Sequence, residues 1–418
     1  MKILHTADLH LGKLLEGRSR LAEQEALLEE LCQIAEEEKA DLVLLAGDIY
    51  DGYNPSAQAE KLFFAFLRQL SAGGQRAVAA IAGNHDQPQR LAAVSPLLSE
   101  QSIYLLGSPF DVPPPQPKSE DKVCLLASSR NVLRLYLPLC REEAVIAALP
   151  YISEGRLNEL FTSGIADESG ARRDYQENLA QLLSAAAISF DPTAVNIVMA
   201  HLFLRGGLES DSERRLAAGA GEAEQAGGSY GVSAGIFPAG AQYVALGHLH
   251  RPQSVPAAMP CVYAGSPLAY SFSEANQSKS VALVEVSPGS QAVYRRRPLQ
   301  AGYTLTRYPA ASYDEALAWC AEPANHNYWV RLEIEAAAPL SGEELARLKE
   351  AHPRLLGISL NLPQMKKKEL AESLSQLSAA EKFSLFARQS YGQDPPEGLT
   401  AMFLALLEDK EEDEYEAR

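Results

Sequence analysis

Five apolar, strand-like runs in this chain each end on groups that bind divalent cations. They are Ile3-Leu4-His5-Thr6-Ala7-Asp8-Leu9-His10, Leu42-Val43-Leu44-Leu45-Ala46-Gly47-Asp48, Ala79-Ala80-Ile81-Ala82-Gly83-Asn84-His85-Asp86, Ile197-Val198-Met199-Ala200-His201 and Val244-Ala245-Leu246-Gly247-His248-Leu249-His250. Six of the eight histidines lie in these runs. Asp8, His10, Asp48, Asn84, His201, His248 and His250 make seven candidate ligands. A single tetrahedral zinc takes about four, so seven suit two ions, with the two oxygens of Asp48 as the natural bridge. Carboxylate, imidazole and amide without thiolate suit Mn²⁺, Fe²⁺ or Zn²⁺. Two such ions ~3.5–4 Å apart clamp the attacking and leaving oxygens of a displacement at phosphorus. His85, between Asn84 and Asp86, is the candidate non-ligand histidine, placed to bond the phosphate or protonate the leaving oxygen. Asp86 would fix its tautomer and hold it cationic. His5, inside the first run, reads as structural, and His326 and His352 read as surface or packing residues.

The elements that must position these groups alternate strand and helix over residues 1 to about 107. Helical spacing of apolar residues marks 19–39 and 55–72, the second opened by Asn54-Pro55 as N-cap and first helical residue. A short helix near 89–99 and a strand near 102–106 follow. Five prolines between Ser108 and Asp121 mark a loop. Strands are expected near 122–127, 144–149, 194–200, 242–247, 260–264, 280–286 and 291–298, with a helix over 174–189. Residues 205–240, rich in Gly, Ala, Ser and Glu, read as a long surface loop, a feature that is often functional in a compact domain. Gly47, Gly83 and Gly247 each precede a candidate ligand, where a missing Cβ lets the backbone turn and approach closely. The pattern gives a first domain over 1–299 and a small α+β domain over 300–362. C-terminal helices over 363–409 and an acidic tail, 410–418, follow.

The chain has 418 residues, 46% apolar and 22% charged, as expected of a globular protein with a sizeable core. No run approaches the ~18 apolar residues of a membrane span, and the N-terminus reads as a strand rather than a signal peptide. Five cysteines without CxxC spacing argue against a disulfide scaffold or zinc clip and fit a reducing cytoplasm. A net charge of −17 argues against a general nucleic-acid binder. Arg214-Arg215, Arg251, Arg295-Arg296-Arg297 and Lys366-Lys367-Lys368 are nonetheless local basic clusters, read first as solvated surface.

Asp-x-His, Gly-Asp-x-x-Asp, Gly-Asn-His-Asp, a lone His after a strand and Gly-His-x-His together resemble the calcineurin-like metallophosphoesterase superfamily. The opening Ile3 to Gly12, the stretch Tyr243 to Gln253, and Gly265-Ser266-Pro267-Leu268-Ala269-Tyr270-Ser271-Phe272-Ser273-Glu274 narrow the resemblance. They are similar to the SbcD family, the DNA exonuclease subunits of bacterial double-strand-break-repair nucleases. The resemblance implies an α/β fold, a four-layer α-β-β-α sandwich with a small capping domain that helps choose DNA geometry. It implies that Asp8, His10, Asp48 and His250 bind one metal and Asp48, Asn84, His201 and His248 the other, with Mn²⁺ the expected ion. His85 would be the phosphate-side catalytic residue. The implied activity is 3'-5' exonuclease action on duplex DNA ends and endonuclease action on hairpins. The implied partners are DNA and an SMC-like ATPase of the SbcC type, whose coiled-coil base the C-terminal helices would bind. A homodimer through the helices near 55–72 and 89–99 is also expected. Asp51 stands where related chains often have a second histidine, and 205–240 carries extra residues around Leu216 to Gly228.

Two other functions fit parts of the chain. A small-molecule or nucleotide phosphodiesterase would use the same chemistry but needs neither cap nor C-terminal helices. A scaffold or tether with a structural metal site would suit the acidic charge but leaves His85 without a purpose.

Overall fold

The computed structural model describes residues 1–153, 156–157, 168–213, 231–275, 277–362, 377–391, 395–396 and 398–404. The chain divides into two compact units, Met1–Thr306 and Arg307–Arg418.

Among its described residues the first unit holds two large sheets, besides a two-stranded ribbon of Leu14–Leu15 and Arg18–Ser19. One contains β1 (Lys2–Thr6), β2 (Leu42–Ala46), β3 (Ala77–Ile81), β4 (Ile103–Leu106), β12 (Ser280–Glu285) and β13 (Val293–Pro298), in the order β13-β12-β1-β2-β3-β4. The other contains β5 (Cys124–Ser129), β6 (Val132–Leu137), β7 (Glu142–Leu149), β8 (Val195–His201), β9 (Tyr243–Gly247), β10 (Gln253–Val255) and β11 (Cys261–Tyr263), in the order β10-β11-β9-β8-β7-β6-β5. The central strands β1 to β4 run parallel, as do β7, β8, β9 and β11. Parallel strands are covered on both faces, which is why their sequences are unbroken apolar runs rather than alternating ones.

Period-two packing sorts these runs into three cores. Leu42, Leu44, Ala79 and Ile81 from one sheet meet Ile146, Ile197, Met199 and Ala245 from the other. The opposite face of the first sheet, Leu4, Val43, Leu45 and Val78, packs on Leu27 and Leu31 of helix Leu21–Glu37 and on Phe63, Phe66 and Leu67 of helix Ala57–Leu70. The outer face of the second sheet, Val145, Ala147, Val198 and Val244, packs on Leu179 and Leu183 of helix Glu168–Ala187. The result is the expected α-β-β-α sandwich.

Several element expectations change. The N-cap of the second helix is Ser56, whose Oγ accepts the Ala59 N–H at 3.2 Å, rather than Asn54. The helix expected over 89–99 breaks into Pro88–Ala92 and Ser95–Leu98, because Pro96 has no N–H for the Ala92 carbonyl and its ring collides with it. β6 and β10 are additional strands.

The second unit has a three-stranded sheet, Thr304–Ala310, Tyr328–Glu335 and Leu355–Asn361, with helices Tyr313–Ala321 and Gly342–Ala351. Val330, Leu332 and Ile334 pack with Ala316, Cys320 and Leu348. His352 stacks on Trp319 at 5.5 Å between ring centres, a packing role. A helix spans Ala379–Tyr391, and residues 398–404 are also helical. Residues 363–376, 392–394, 397 and 405–409 of the expected C-terminal helices, the acidic tail and residues 214–230 of the long loop lie outside the described residues.

Candidate metal centre

The C-terminal ends of β1, β2, β3, β8 and β9 converge where the two sheets meet. The Asp8 N–H donates to the Gly47 carbonyl at 2.9 Å and the His10 N–H to the Asp48 carbonyl at 3.0 Å. The seam needs glycine. A Cβ on Gly83 would lie 2.1 Å from Asp48 Oδ1, and one on Gly247 would lie 1.9 Å from the Ala46 carbonyl oxygen. Four of the seven candidate ligands adopt positive φ without being glycine: Asp8 at 54°, His10 at 44°, Asp48 at 50° and His248 at 102°. Each such residue costs ~1–3 kcal/mol and persists only where surrounding structure enforces it.

All seven side chains are buried. Asp8, His10 and His250 each bring a ligand atom within 4.8 Å of the others, and Asp8, Asp48 and His201 do the same. His10 Nε2 faces His250 Nε2 at 3.0 Å and Asp48 Oδ2 at 3.6 Å. On the other side, Asn84 Oδ1 lies 2.9 Å from His201 Nε2 and 3.2 Å from His248 Nδ1, and Asp48 Oδ2 lies 3.6 Å from His201 Nε2. Asp48 therefore adjoins both groups.

Proton placement tests whether cations fit here. His201 Nδ1 lies 2.9 Å from the Ala46 carbonyl, which can only accept, so Nδ1 carries the hydrogen. His201 Nε2 then points a lone pair at the lone pairs of Asn84 Oδ1. Such facing acceptors repel unless a cation lies between them, and the residues present fit one. Electrostatics agree. Burial, then neighbouring imidazoles and Lys13, push His10 well down. Burial pushes His201 down, and burial with the neighbouring imidazoles takes His248 to about 3, so these rings are neutral and offer lone pairs. Burial, reinforced by the Asp48 charge, raises Asp8 well above the carboxylate range. Burial also opposes charge on Asp48, yet Asp48 is held low, with the His85 backbone N–H bonding its carboxylate.

His85 lies against this centre. Its ring packs edge-on against His10 at 4.7 Å, and its backbone N–H donates to Asp48 Oδ1 at 2.9 Å. Asp86 does not orient it, which corrects the expectation drawn from their adjacency. The Asp86 carboxylate accepts the N–H groups of Gly83 at 2.8 Å, Tyr50 at 2.9 Å and Ile49 at 3.0 Å. It thus ties the loop after β3 to the loop after β2. The group on His85 Nδ1 is the Asp51 carbonyl, at 2.8 Å, with the Asp51 carboxylate 4.0 Å away. Asp51 also pairs with Lys13 at 2.7 Å and stands 3.6 Å from His10 Nδ1.

Sequence reasoning passed over further residues around the centre. The Gln24 amide donates to the His10 carbonyl at 2.8 Å and accepts the Gly12 N–H at 2.9 Å. Tyr270 OH donates to the Leu9 carbonyl at 2.5 Å. Ser212, Glu213 and Glu274 surround His250. Tyr270 and Glu274 do fall in the Gly265–Glu274 stretch that narrowed the resemblance. His5, three residues before Asp8, bonds Tyr243 OH through Nδ1 at 2.9 Å and so joins β1 to β9.

The calcineurin-like phosphoesterase model matches residues 1–252, the part of the chain that carries all seven ligand candidates and His85. The chain belongs to that family, whose members use a dinuclear metal site. It is 40% identical over 417 residues to the SbcD component of the SbcCD nuclease of Bacillus subtilis, covering 99% of this chain and all of that one. It is 33% identical over 380 residues to the corresponding SbcCD nuclease component of Rhodobacter capsulatus, covering 87% of this chain and 88% of that one. Within the phosphoesterases the chain belongs to the SbcD family of SbcCD nucleases.

Proposed function

We propose that the chain is a metal-dependent nuclease subunit that hydrolyses DNA phosphodiester bonds through two divalent cations, Mn²⁺ by preference. The observation that carries this reading is the lone-pair pocket itself. Asp8, His10, Asp48 and His250 would hold one ion and Asp48, Asn84, His201 and His248 the other. When bound, the ions supply charge neutralisation at the phosphate and a deprotonated water as nucleophile. The chain's own groups do the rest. Hydrolysis adds the water oxygen to phosphorus and breaks the bond to the leaving alcohol, whose oxygen needs a proton. His85 is the group for that step. Its Nδ1–H is committed to the Asp51 carbonyl, so Nε2 is the atom left to bond a phosphate oxygen or protonate the departing one. The buried walls limit competing water, and the positive-φ turns fix the ligands before substrate arrives.

The substrate reading follows the relatives: DNA ends attacked 3'-5' and hairpins attacked internally, in repair and recombination. An SbcC-type SMC-like ATPase would be the partner, received by the C-terminal helices over 363–409, with 300–362 as the cap. The −17 charge fits a subunit that relies on its partner to hold DNA. A homodimer through the helices near 55–72 and 89–99 is supported by Leu97, 76% exposed at that surface. No described helix is long and apolar enough to cross a membrane, and the five free cysteines fit a cytoplasmic setting. Purified protein with Mn²⁺ should degrade linear duplex DNA, and Asp48→Ala or His85→Gln should abolish this with the fold intact. Equal activity in those variants would refute the assignment.

A further inference from the structure

The outer nitrogen of His201 meets the Ala46 carbonyl, whereas that of His250 meets a side-chain relay. His250 Nδ1 lies 2.6 Å from Ser212 Oγ, and Ser212 Oγ lies 2.5 Å from Glu274 Oε1. Glu274, itself fully buried, is ringed by donors. Oε1 also accepts the N–H groups of Tyr270 and Ser271 at 3.1 Å each, while Oε2 takes Lys279 Nζ. An oxygen so surrounded accepts and does not donate. The single hydroxyl hydrogen of Ser212 therefore points to Glu274, and Ser212 must accept from His250 Nδ1–H. That leaves the His250 lone pair on Nε2, the atom facing His10 Nε2 and the metal pocket. The same segment grips the backbone, since Glu213 Oε1 accepts the His250 N–H at 2.7 Å. Lys279 closes the ring by donating to the His250 carbonyl at 2.9 Å.

We propose that Ser212, backed by Glu274, is the positioning residue that fixes the tautomer and direction of His250, and that the 208–213 segment is thereby an integral part of the metal site. The proposal rests on the two-metal reading above. It gives a purpose to the Ser271–Glu274 turn, whose capping box holds the Glu274 carboxylate in place. It also makes the start of the long loop answerable to metal occupancy: an ion that uses His250 Nε2 stabilises the relay, and the relay raises affinity for that ion. Loss of such an outer partner typically weakens metal binding about 10–100-fold.

The test is Mn²⁺ titration by calorimetry, with electron paramagnetic resonance to detect the spin-coupled pair, on full-length wild type, Ser212→Ala and Ser212→Thr. Wild type should bind two ions. Ser212→Ala should bind one of them about 10–100-fold more weakly and lose the coupled signal at limiting metal, while keeping its circular dichroism. Ser212→Thr, which retains the hydroxyl, should recover most of the affinity. A wild type that binds no pair of ions would defeat the two-metal reading itself. A wild-type pair with unchanged affinity in Ser212→Ala would overturn the relay. So would equal weakening in the Ala and Thr variants, which would mean that the segment matters only by its packing.

Discussion

Gly247→Ala tests the seam on which the whole site depends. The added Cβ would lie 1.9 Å from the Ala46 carbonyl oxygen and 2.9 Å from His201 Nδ1. Non-bonded heavy atoms rest at ~3.5 Å, so the contact must open by more than ~1 Å. The obstructing atom is backbone at the end of β2 and cannot rotate away. Opening the seam also stretches the 2.9 Å bond from His201 Nδ1 to that same carbonyl, and so displaces a ligand from Asp48 and Asn84. Overpacking of this kind costs ~1–3 kcal/mol or more, which for a unit of this size is a fall in Tm of roughly 2–10 °C. A ~1 Å misplacement of reacting groups can cost ~100-fold in rate. The assay is thermal unfolding beside Mn²⁺-dependent hydrolysis of linear duplex DNA, at a temperature where both proteins are folded. Gly342→Ala, whose Cβ would meet nothing within 4 Å, is the control and should leave both unchanged. Wild-type Tm and rate in Gly247→Ala would refute the close approach of the two sheets.

His85→Gln should lower hydrolysis by ~100–10,000-fold, whereas Asp51→Ala, which keeps the carbonyl that holds His85, should lower it less; the reverse order in parallel rate measurements would reject that arrangement. Burial pushes the His5 imidazole down to about 3, below its unfolded value of ~6.5. The unfolded chain therefore takes up the proton first, and stability falls as pH drops from ~6.5 toward 3. Between pH 7 and 5 this contributes about 2 kcal/mol, so His5→Gln should unfold in urea with a flatter pH dependence than wild type, and parallel slopes would contradict it. Removing metal should destabilise the first unit, because an ion held at a hundred times its Kd contributes ~2.7 kcal/mol; identical Tm in chelator and in excess Mn²⁺ would count against a buried metal pair.

Much of the fold was legible because the central strands are buried on both faces and therefore read as pure apolar runs. The converging chemistry was legible for the same reason, since each run ends abruptly on a polar group. What escaped notice were contacts with no local signal. Ser212 meets Glu274 across 62 residues, and nothing in either neighbourhood announces the pairing. Adjacency misled in one place: Asp86 follows His85 in the chain, yet its carboxylate turns to three backbone N–H groups, and the Asp51 carbonyl holds the ring. Asp51 looked like a mere departure from related chains, because its backbone oxygen is the functional atom and a sequence shows only side chains. The break before Pro96 was readable from proline chemistry, but the apolar spacing across it masked the stop. β6 went unseen because Arg134, half-buried at an alternate position, interrupts its short apolar run.

Anomalous diffraction from crystals grown with Mn²⁺ is the most direct test of the central claim. Two peaks ~3.5–4 Å apart are expected, one bounded by Asp8, His10, Asp48 and His250 and the other by Asp48, Asn84, His201 and His248. A single peak, or peaks away from Asp48, would contradict it.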